Sequence, residues 1–279
     1  MSAFSAAWLD LREPVDHRSR DPALAEQLGH YLAGAGPITV VDLGCGTGSN
    51  LRATAPLLGP EQHWTLVDQD QVLLDTAVAR LSAWADLADT SDGRLRLTKG
   101  NRRISVAFRR ADLARELEAA LGPSANLVTA SALFDLASAA FIAAFAAATA
   151  ARQSAFYTVL TYDGDQRWTP EHAADVAMVE AFHAHQRRDK GFGRAAGPDA
   201  PDALSEAFSA AGYAVSEGDS AWRLGPGDET LIAELARGFA DAVGETELVE
   251  ASTIDTWRAI TRTGAIVGHA DTLALPPVA

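Results

Sequence analysis

Asp42, Gly44, Gly46 and Gly48 stand in the run VVDLGCGTGSN, Val40 to Asn50, with an acid at the end of an apolar, β-branched stretch and alternate glycines behind it. Glycine reaches positive φ without a Cβ penalty, so such a loop lets backbone N–H groups approach a ligand closely. A helix starting near Ser49 would aim its N-terminus at the same spot. The chemistry is that of a cradle for a small polar ligand. Spacing narrows the choice: a G-x-G-x-x-G dinucleotide fingerprint needs its third glycine at position 49, which is Ser49. A nicotinamide-dependent reductase is therefore disfavoured, and a generic glycine-rich βα turn is the plain alternative.

Groups able to move a proton are scattered. His17, His183 and His185 are candidate bases, with Asp135 behind them, and none stands out. Of these, His17 and Asp135 are carried forward as catalytic candidates. His183 and His185 are two apart and so do not share a helical face, which speaks against a metal pair; no metal site is expected. Two polar clusters could shape a substrate pocket. WLDLREPVDHRSRD carries Trp8, Arg12, Asp16 and His17, and Arg12 could grip a carboxylate bidentately or simply face solvent. HQRRDKGFGR, His185 to Arg194, is a basic glycine-containing loop in an acidic chain; it reads as a lid over an anionic small molecule or as an ordinary exposed loop.

The elements that must position these groups alternate. Ile38 to Val41 suits a strand buried on both faces, followed by a helix to about Leu58, a strand over His63 to Val67 and a helix from Gln71 to about Leu87. Leu95–Thr98 and Ile104–Arg109 read as a hairpin turning at Lys99-Gly100-Asn101. Asp112 can cap a helix over Leu113–Leu121, Ala125–Ala130 is a strand, and Leu136–Ala151 holds no charge and reads as a buried helix. Ala155–Thr161 is a further strand, Thr169 to Arg188 a long helix with Thr169 as N-cap, and Ala203–Ala211 another helix. Tyr213–Glu217 and Ser220–Leu224 read as a second hairpin carrying Trp222. Asp228–Val243 and Glu247–Arg262 add helices, and the tail through Pro276-Pro277 is expected at the surface. Ahead of all this, Ala7 to Gly34 reads as one or two helices, with Asp21 as an N-cap. The expected fold class is α/β: a doubly wound, mostly parallel, Rossmann-like sheet with an antiparallel edge hairpin and extra N- and C-terminal helices.

The Asp-then-G-x-G-x-G loop on a strand end resembles the first motif of the class I S-adenosylmethionine (SAM)-dependent methyltransferases, over about Ile38 to Leu224. The resemblance implies SAM as cofactor, S-adenosylhomocysteine as product, and a loop of Asp42, Gly44, Cys45, Gly46, Gly48 and Asn50 around the amino-acid part of SAM. It places Asp68, in TLVDQD, on the ribose hydroxyls, and Gln69 near the adenine; Asp68 lies 24 positions after Gly44, about a βαβ unit away. Asp112 and Leu113 in FRRADL fall where the family contacts the adenine amino group, and Ser131 ends the fourth strand. Arg12, Phe134, Tyr162 and His185 are the substrate-side candidates. The Asn/Asp-Pro-Pro-Tyr signature of amino-methyltransferases is absent, which counts against planar amide acceptors. One domain is expected over 1–279: a helical cap (1–36), a core (38–225) and a C-terminal helical extension (226–279). The implied activity is methyl transfer to a small molecule. A SAM-binding protein without turnover and an aminopropyl-type transferase remain alternatives.

Composition sets limits. With 37 acidic and 23 basic residues in 279, the net charge of −14 opposes nucleic acid as a partner. The single cysteine, Cys45, excludes an intrachain disulfide and reads as a small buried filler. MSAFSAAWLDLREP lacks a basic segment followed by an apolar one, and Leu136–Ala151 is too short to span a bilayer, so no leader and no membrane partner are expected and a cytoplasmic enzyme is the simple inference. A homodimer is left open.

Overall fold

The computed structural model describes residues 5–91 and 93–277. The first four residues of the segment read for a leader, and the last two of the tail, lie outside the described residues. Two N-terminal helices, α1 (Ala6–Ser19) and α2 (Pro22–Tyr31), precede the sheet. Asp21 caps α2 as expected, its carboxylate accepting from the Leu24 N–H.

Strand β1 (Ile38–Leu43) pairs in parallel with β2 (Glu61–Asp68) on one side and β6 (Leu127–Ser131) on the other. β5 (Arg102–Arg110) extends the sheet beyond β2, and β7 (Ala155–Thr169) extends it beyond β6, again in parallel. The chain thus winds outward from β1, then returns past it to wind the other way. The reversal opens a crevice at the carboxyl ends of β1 and β6, where open α/β sheets bind ligands. Alternation along β1 explains its burial on both faces. Ile38 and Val40 join one apolar cluster with Trp64 and Leu66, while Val41 and Leu43 join the other with Phe134 and Phe156.

Helices α3 (Ser49–Thr54), α4 (Gln71–Trp84), α5 (Leu113–Leu121) and α6 (Ala139–Ala151) make the crossovers on the parallel side. The alanine-rich α6 starts at Ala139 rather than Leu136 and buries one face, not its whole circumference: Phe145 lies 4.9 Å from Phe134 and 5.0 Å from Phe156, ring centroid to centroid, while Ala140, Ala143 and Ala147 are exposed. The hairpin at Gly100-Asn101 is present as β4 (Arg94–Lys99) against β5, and a further short strand, β3 (Leu87–Ser91), adds to the edge. No helix among the described residues is long and apolar enough to cross a membrane.

The other half of the sheet corrects several expectations. The tail is not surface: β10 (Gly264–Leu275) runs antiparallel between β7 and β8 (Ala214–Asp219), with Leu273 and Ala274 buried. The C-terminal extension is therefore helical only through α9 (Glu229–Gly244) and α10 (Ala251–Arg258). The expected 213–224 hairpin does not form. β8 and β9 (Trp222–Leu224) pair one after the other with the same strand, β10, and Ser220 N–H continues the ladder to the His269 carbonyl at 2.9 Å. Nor does a helix start at Thr169. That residue is the last of β7, opposite Gly264, and its carbonyl accepts from Thr263 N–H, so the backbone there is already used. The helix begins later, as α7 (Asp175–Gln186), and α8 (Ala200–Ala210) follows the glycine-containing loop.

Candidate active site

The glycine loop closes at the end of β1 with Gly44, Gly46 and Gly48 all at positive φ (62°, 52° and 79°). A Cβ on Gly44 would stand 3.1 Å from Leu133 Cδ1, and one on Gly46 3.1 Å from Leu9 Cδ1, so a side chain at either position would be strained by the positive φ and would crowd a leucine methyl. The loop is held by its neighbours: Cys45 N–H donates to the Val67 carbonyl at 3.0 Å, and Gly46 N–H to Asp68 Oδ2 at 2.9 Å. Asp68 Oδ1 accepts from Asp70 N–H at 2.9 Å. Burial pushes the Asp68 pKa up, against its N–H donors.

Asp42 lies beneath the loop. Its Oδ1 accepts from Asn50 Nδ2 at 2.7 Å, and Asn50 also donates to Thr129 Oγ1 at 3.1 Å, which ties α3 to β1 and β6. Asp42 Oδ2 is buried without a partner, and desolvation raises the Asp42 pKa to about 7. The Cys45 thiol is buried and pushed well above its ordinary range by desolvation and by Asp42 and Asp68, which suits a filler rather than a nucleophile.

Over this floor opens a cavity of about 1300 Å³. The structure brings Gly44, Cys45, Gly46, Asn50, Asp68 and Gln69 to its wall, and with them Asp112, Leu113 and Ser131 from the ends of β5 and β6. Asp112 caps α5 through Ala114 N–H at 3.1 Å and still faces the cavity. Asp42 and Gly48 do not line it.

Helix α1 forms part of the opposite wall through Trp8, Leu9, Arg12 and Asp16. Its other flank is tied to the loop region: Glu13 pairs bidentately with Arg52, which also donates to the Thr47 carbonyl at 2.9 Å. His17 Nε2 lies 2.9 Å from Ser49 Oγ and 3.2 Å from the Ser49 carbonyl, and the ring does not line the cavity. Its pKa is lowered by burial and by Arg20. The structure thus places His17 on the seam between α1 and α3, where it positions α1.

The other expected residues divide. Arg12, Asp135 and His185 reach the cavity. Phe134 is fully buried in the aromatic cluster beneath, and Tyr162 turns its hydroxyl to His183 Nε2 at 3.1 Å, away from the wall. His183 is further engaged by the Gly164 carbonyl at 3.1 Å. His185 Nε2 lies 3.1 Å from Glu245 Oε2, with Lys190 Nζ 3.4 Å from its Nδ1; burial and Lys190 hold its pKa down.

Asp135 follows β6 in a short 3-10 turn, Phe134–Leu136, and burial raises its pKa to about 6 although Arg12 and Lys190 act against the rise. Sequence reasoning missed Gln166, Glu245 and the α9 wall. Gln166 was hidden because β7 runs eight residues past its expected end at Thr161, to Thr169. Of the basic loop, Lys190, Gly191 and Phe192 reach the cavity; Asp189 Oδ1 shapes the turn by accepting from Gly191 and Gly193 N–H groups at 2.7 and 3.0 Å.

The fold that carries this site, a sheet with its reversal at β1 and an antiparallel strand beyond β7, has solved counterparts. A cyclopropane-fatty-acyl-phospholipid synthase-like protein from Lactobacillus casei superposes over 99% of this chain and 94% of its own, with TM-score 0.53 and 15% identity. The YcgJ protein of Bacillus subtilis covers 94% of this chain and 100% of its own, at TM-score 0.52 and 14% identity. A candidate methyltransferase of Bacillus halodurans covers 91% and 100%, at 0.50 and 14%. The fold is that of the class I methyltransferases. At the level of sequence, no family model and no curated protein matches the chain. Along the sheet the order is β3, β4, β5, β2, β1, β6, β7, β10 and β8, with β4 and β3 lying beyond β5 at one edge and β9 pairing with β10 near the other.

Proposed function

We propose that the protein binds SAM and transfers its methyl group to a small-molecule acceptor. The observation that carries this reading is the bond from Gly46 N–H to Asp68 Oδ2, which joins the glycine loop to the acid of the next strand at the mouth of a large cavity. The residues fit such a ligand. Gly44 and Gly46 leave the loop backbone bare, as a close approach requires. Asp68 accepts from Gly46 and Asp70, with the Gln69 N–H also directed at it, and a carboxylate has about four acceptor positions, so capacity is left for a ribose hydroxyl. Thr47 Oγ1 is buried without a partner beside them.

The loop from Gly44 to Gly46 would hold the amino-acid part, Asp68 the ribose, Gln69, Asp112 and Leu113 the adenine, with Ser131 at the floor. SAM supplies a methyl already activated on a sulfonium. What the chain must then do is align the acceptor and keep water out. A cavity of about 1300 Å³ exceeds the ~300–1,000 Å³ of a single-ligand pocket, which leaves space for an acceptor beside the cofactor. Helix α1, tied down by Glu13 and His17, and the Lys190 loop close that space from two sides.

Calorimetric titration with SAM, S-adenosylhomocysteine and NADH tests the reading. Binding of the first two and not the third is expected, and failure of both sulfur ligands to bind sinks it.

A further inference from the structure

Away from the glycine loop, the cavity wall carries polar atoms that the fold leaves unpaired. Asp135 is 9% exposed with Oδ1 unbonded, and Gln166 is 8% exposed with Nε2 unbonded; both line the cavity. A buried polar atom without a partner is costly, and a ligand that completes the bond removes that cost. Arg12 adds to them. It donates through Nε to Asp16 Oδ2 at 2.8 Å, its side chain is 11% exposed, and among the described residues its two terminal nitrogens take no hydrogen bond.

Sheet register relates these groups. Arg12 lies over the Trp222 ring, 5.1 Å from its centroid. Trp222 stands opposite Val267 on β10, and Val267 opposite Gln166 on β7, so Trp222 and Gln166 share one cross-strand row and one face, roughly 10 Å apart. The charged groups that face Asp135 are Arg12 from α1 and Lys190 from the loop, and the neutral phenol of Tyr162 on β7 also senses its charge. Donors therefore gather at Arg12, Gln166 and Lys190 near the Asp135 carboxylate, while the carboxylates of α9 and its C-terminus, Glu234, Asp241 and Glu245, line another part of the cavity.

We propose that the acceptor is a small hydroxy-carboxylate, its carboxylate received by Arg12 and Gln166 and its hydroxyl facing Asp135, which takes the proton. This rests on the methyltransferase reading above. The hydroxyl oxygen's lone pair forms the new C–O bond to the methyl carbon, and the C–S bond of the sulfonium donor breaks with its pair returning to sulfur. The hydroxyl proton passes to the Asp135 carboxylate. Other acceptors fit less well. An alkylamine arrives protonated and would set a cation beside Arg12 and Lys190; a thiolate needs no base and brings a second negative charge. A phosphate dianion would meet Asp16 and Asp135 around the same guanidinium, whereas a carboxylate carries one charge and matches the Arg fork. Phe192 and Leu136 offer an apolar wall for the body of the molecule.

The test uses 4-hydroxybenzoate and its neutral counterpart 4-hydroxybenzyl alcohol, each titrated into protein saturated with S-adenosylhomocysteine and labelled with fluorotryptophan. The Trp222 fluorine signal is assigned by Trp222→Phe among the six tryptophans. The benzoate is expected to shift that signal and to bind at least about tenfold more tightly than the alcohol. Arg12→Gln and, separately, Gln166→Met should remove most of that preference while S-adenosylhomocysteine still binds. With ¹³C-aspartate, the Asp135 carboxyl, assigned by Asp135→Asn, should titrate at higher pH in the benzoate complex, because the ligand occupies the cation that supports its charge. No Trp222 response, or equal preference in both variants, overturns the carboxylate site; an unmoved Asp135 titration overturns the proton role. Failure of S-adenosylhomocysteine to bind is a different result and strikes the cofactor reading alone.

Discussion

The two ends of the cavity are built on opposite plans. At the glycine loop, the polar groups are fixed by backbone and by residues a short way along the chain: Gly46 and Asp70 on Asp68, Ala114 on Asp112, Asn50 on Asp42. At the other end they come from α1, the turn after β6, β7, the loop before α8, and α9, and two of them are left unpaired. The first plan gives a preorganised cradle, held mostly by β1, β2 and α3 and braced by α1 through Glu13 and Arg52. The second gives a wall that can be rebuilt one residue at a time, and under the proposed function that wall is the part that would select the acceptor.

The largest expected effect compares one buried carboxylate from each end. Asp42 has its pKa raised to about 7 and Asp135 to about 6, both chiefly by desolvation. Folded protein therefore keeps these protons where unfolded chain, near the ordinary 3.8, has lost them. Stability from this source is full below the unfolded value, falls as pH rises, and is gone above about 7 for Asp42 and about 6 for Asp135. At ~1.4 kcal/mol per pKa unit, the loss between pH 4 and 8 is about 4 kcal/mol for Asp42 and about 3 for Asp135. Asp42→Asn should raise the urea midpoint at pH 8 relative to the parent and change it little at pH 4, with Asp135→Asn doing the same to a smaller degree. Equal midpoint shifts at the two pH values would break the comparison.

Next in size is the tie that lets α1 serve both ends. Glu13→Ala leaves the Arg52 guanidinium, 7% exposed, without its carboxylate, at a cost of about 3 kcal/mol. Because α1 carries Arg12 and Leu9 to the two ends, binding of S-adenosylhomocysteine and of 4-hydroxybenzoate should weaken together. Loss of one alone, measured by calorimetry, would show that α1 belongs to that end only.

The same contrast explains what could be read from the sequence. The cradle lies in two short runs, VVDLGCGTGSN and TLVDQD, and β-branched strands ending in acids are visible residue by residue; nine of the eleven expected cofactor-side residues face the cavity. The far wall was legible only in pieces. Arg12, Asp135 and His185 were singled out, but Gln166 sat beyond the expected end of β7, and Phe134 and Tyr162 proved to be packing residues. β10 was missed for a physical reason. Its apolar pattern is interrupted by His269, Asp271 and Thr272, which are buried, and by Gly268, where a Cβ would overlap Asp163. Asp271 is tolerated inside because it accepts from Leu160 and Asp21 N–H groups at 2.9 Å each, partners far away in the chain that no local reading supplies.

Asp68→Ala probes the cradle directly. If the free acceptor positions of Asp68 serve a ribose, affinity for S-adenosylhomocysteine should fall by ~1–3 kcal/mol, with part of the loss reflecting the freed Gly46 and Asp70 N–H groups. A companion titration with adenosine separates the two contributions: it should weaken as well, since the ribose is common to both ligands. Unchanged affinity for either would move the ribose role off Asp68.

The smallest effect sharpens where the far wall ends. The Tyr162 hydroxyl lies 3.1 Å from His183 Nε2 and its ring meets Phe182 and His269 edge-on, but it does not line the cavity. Tyr162→Phe should then cost about 1 kcal/mol of stability through one lost hydrogen bond, read as a small drop in the urea midpoint with an unchanged slope. Its effect on ligands should be nil, because Phe182, which does line the cavity, keeps its packing against an unaltered ring. A loss of 4-hydroxybenzoate binding in this variant, with S-adenosylhomocysteine binding intact, would place the phenol in the acceptor wall and move its boundary from Gln166 inward along β7.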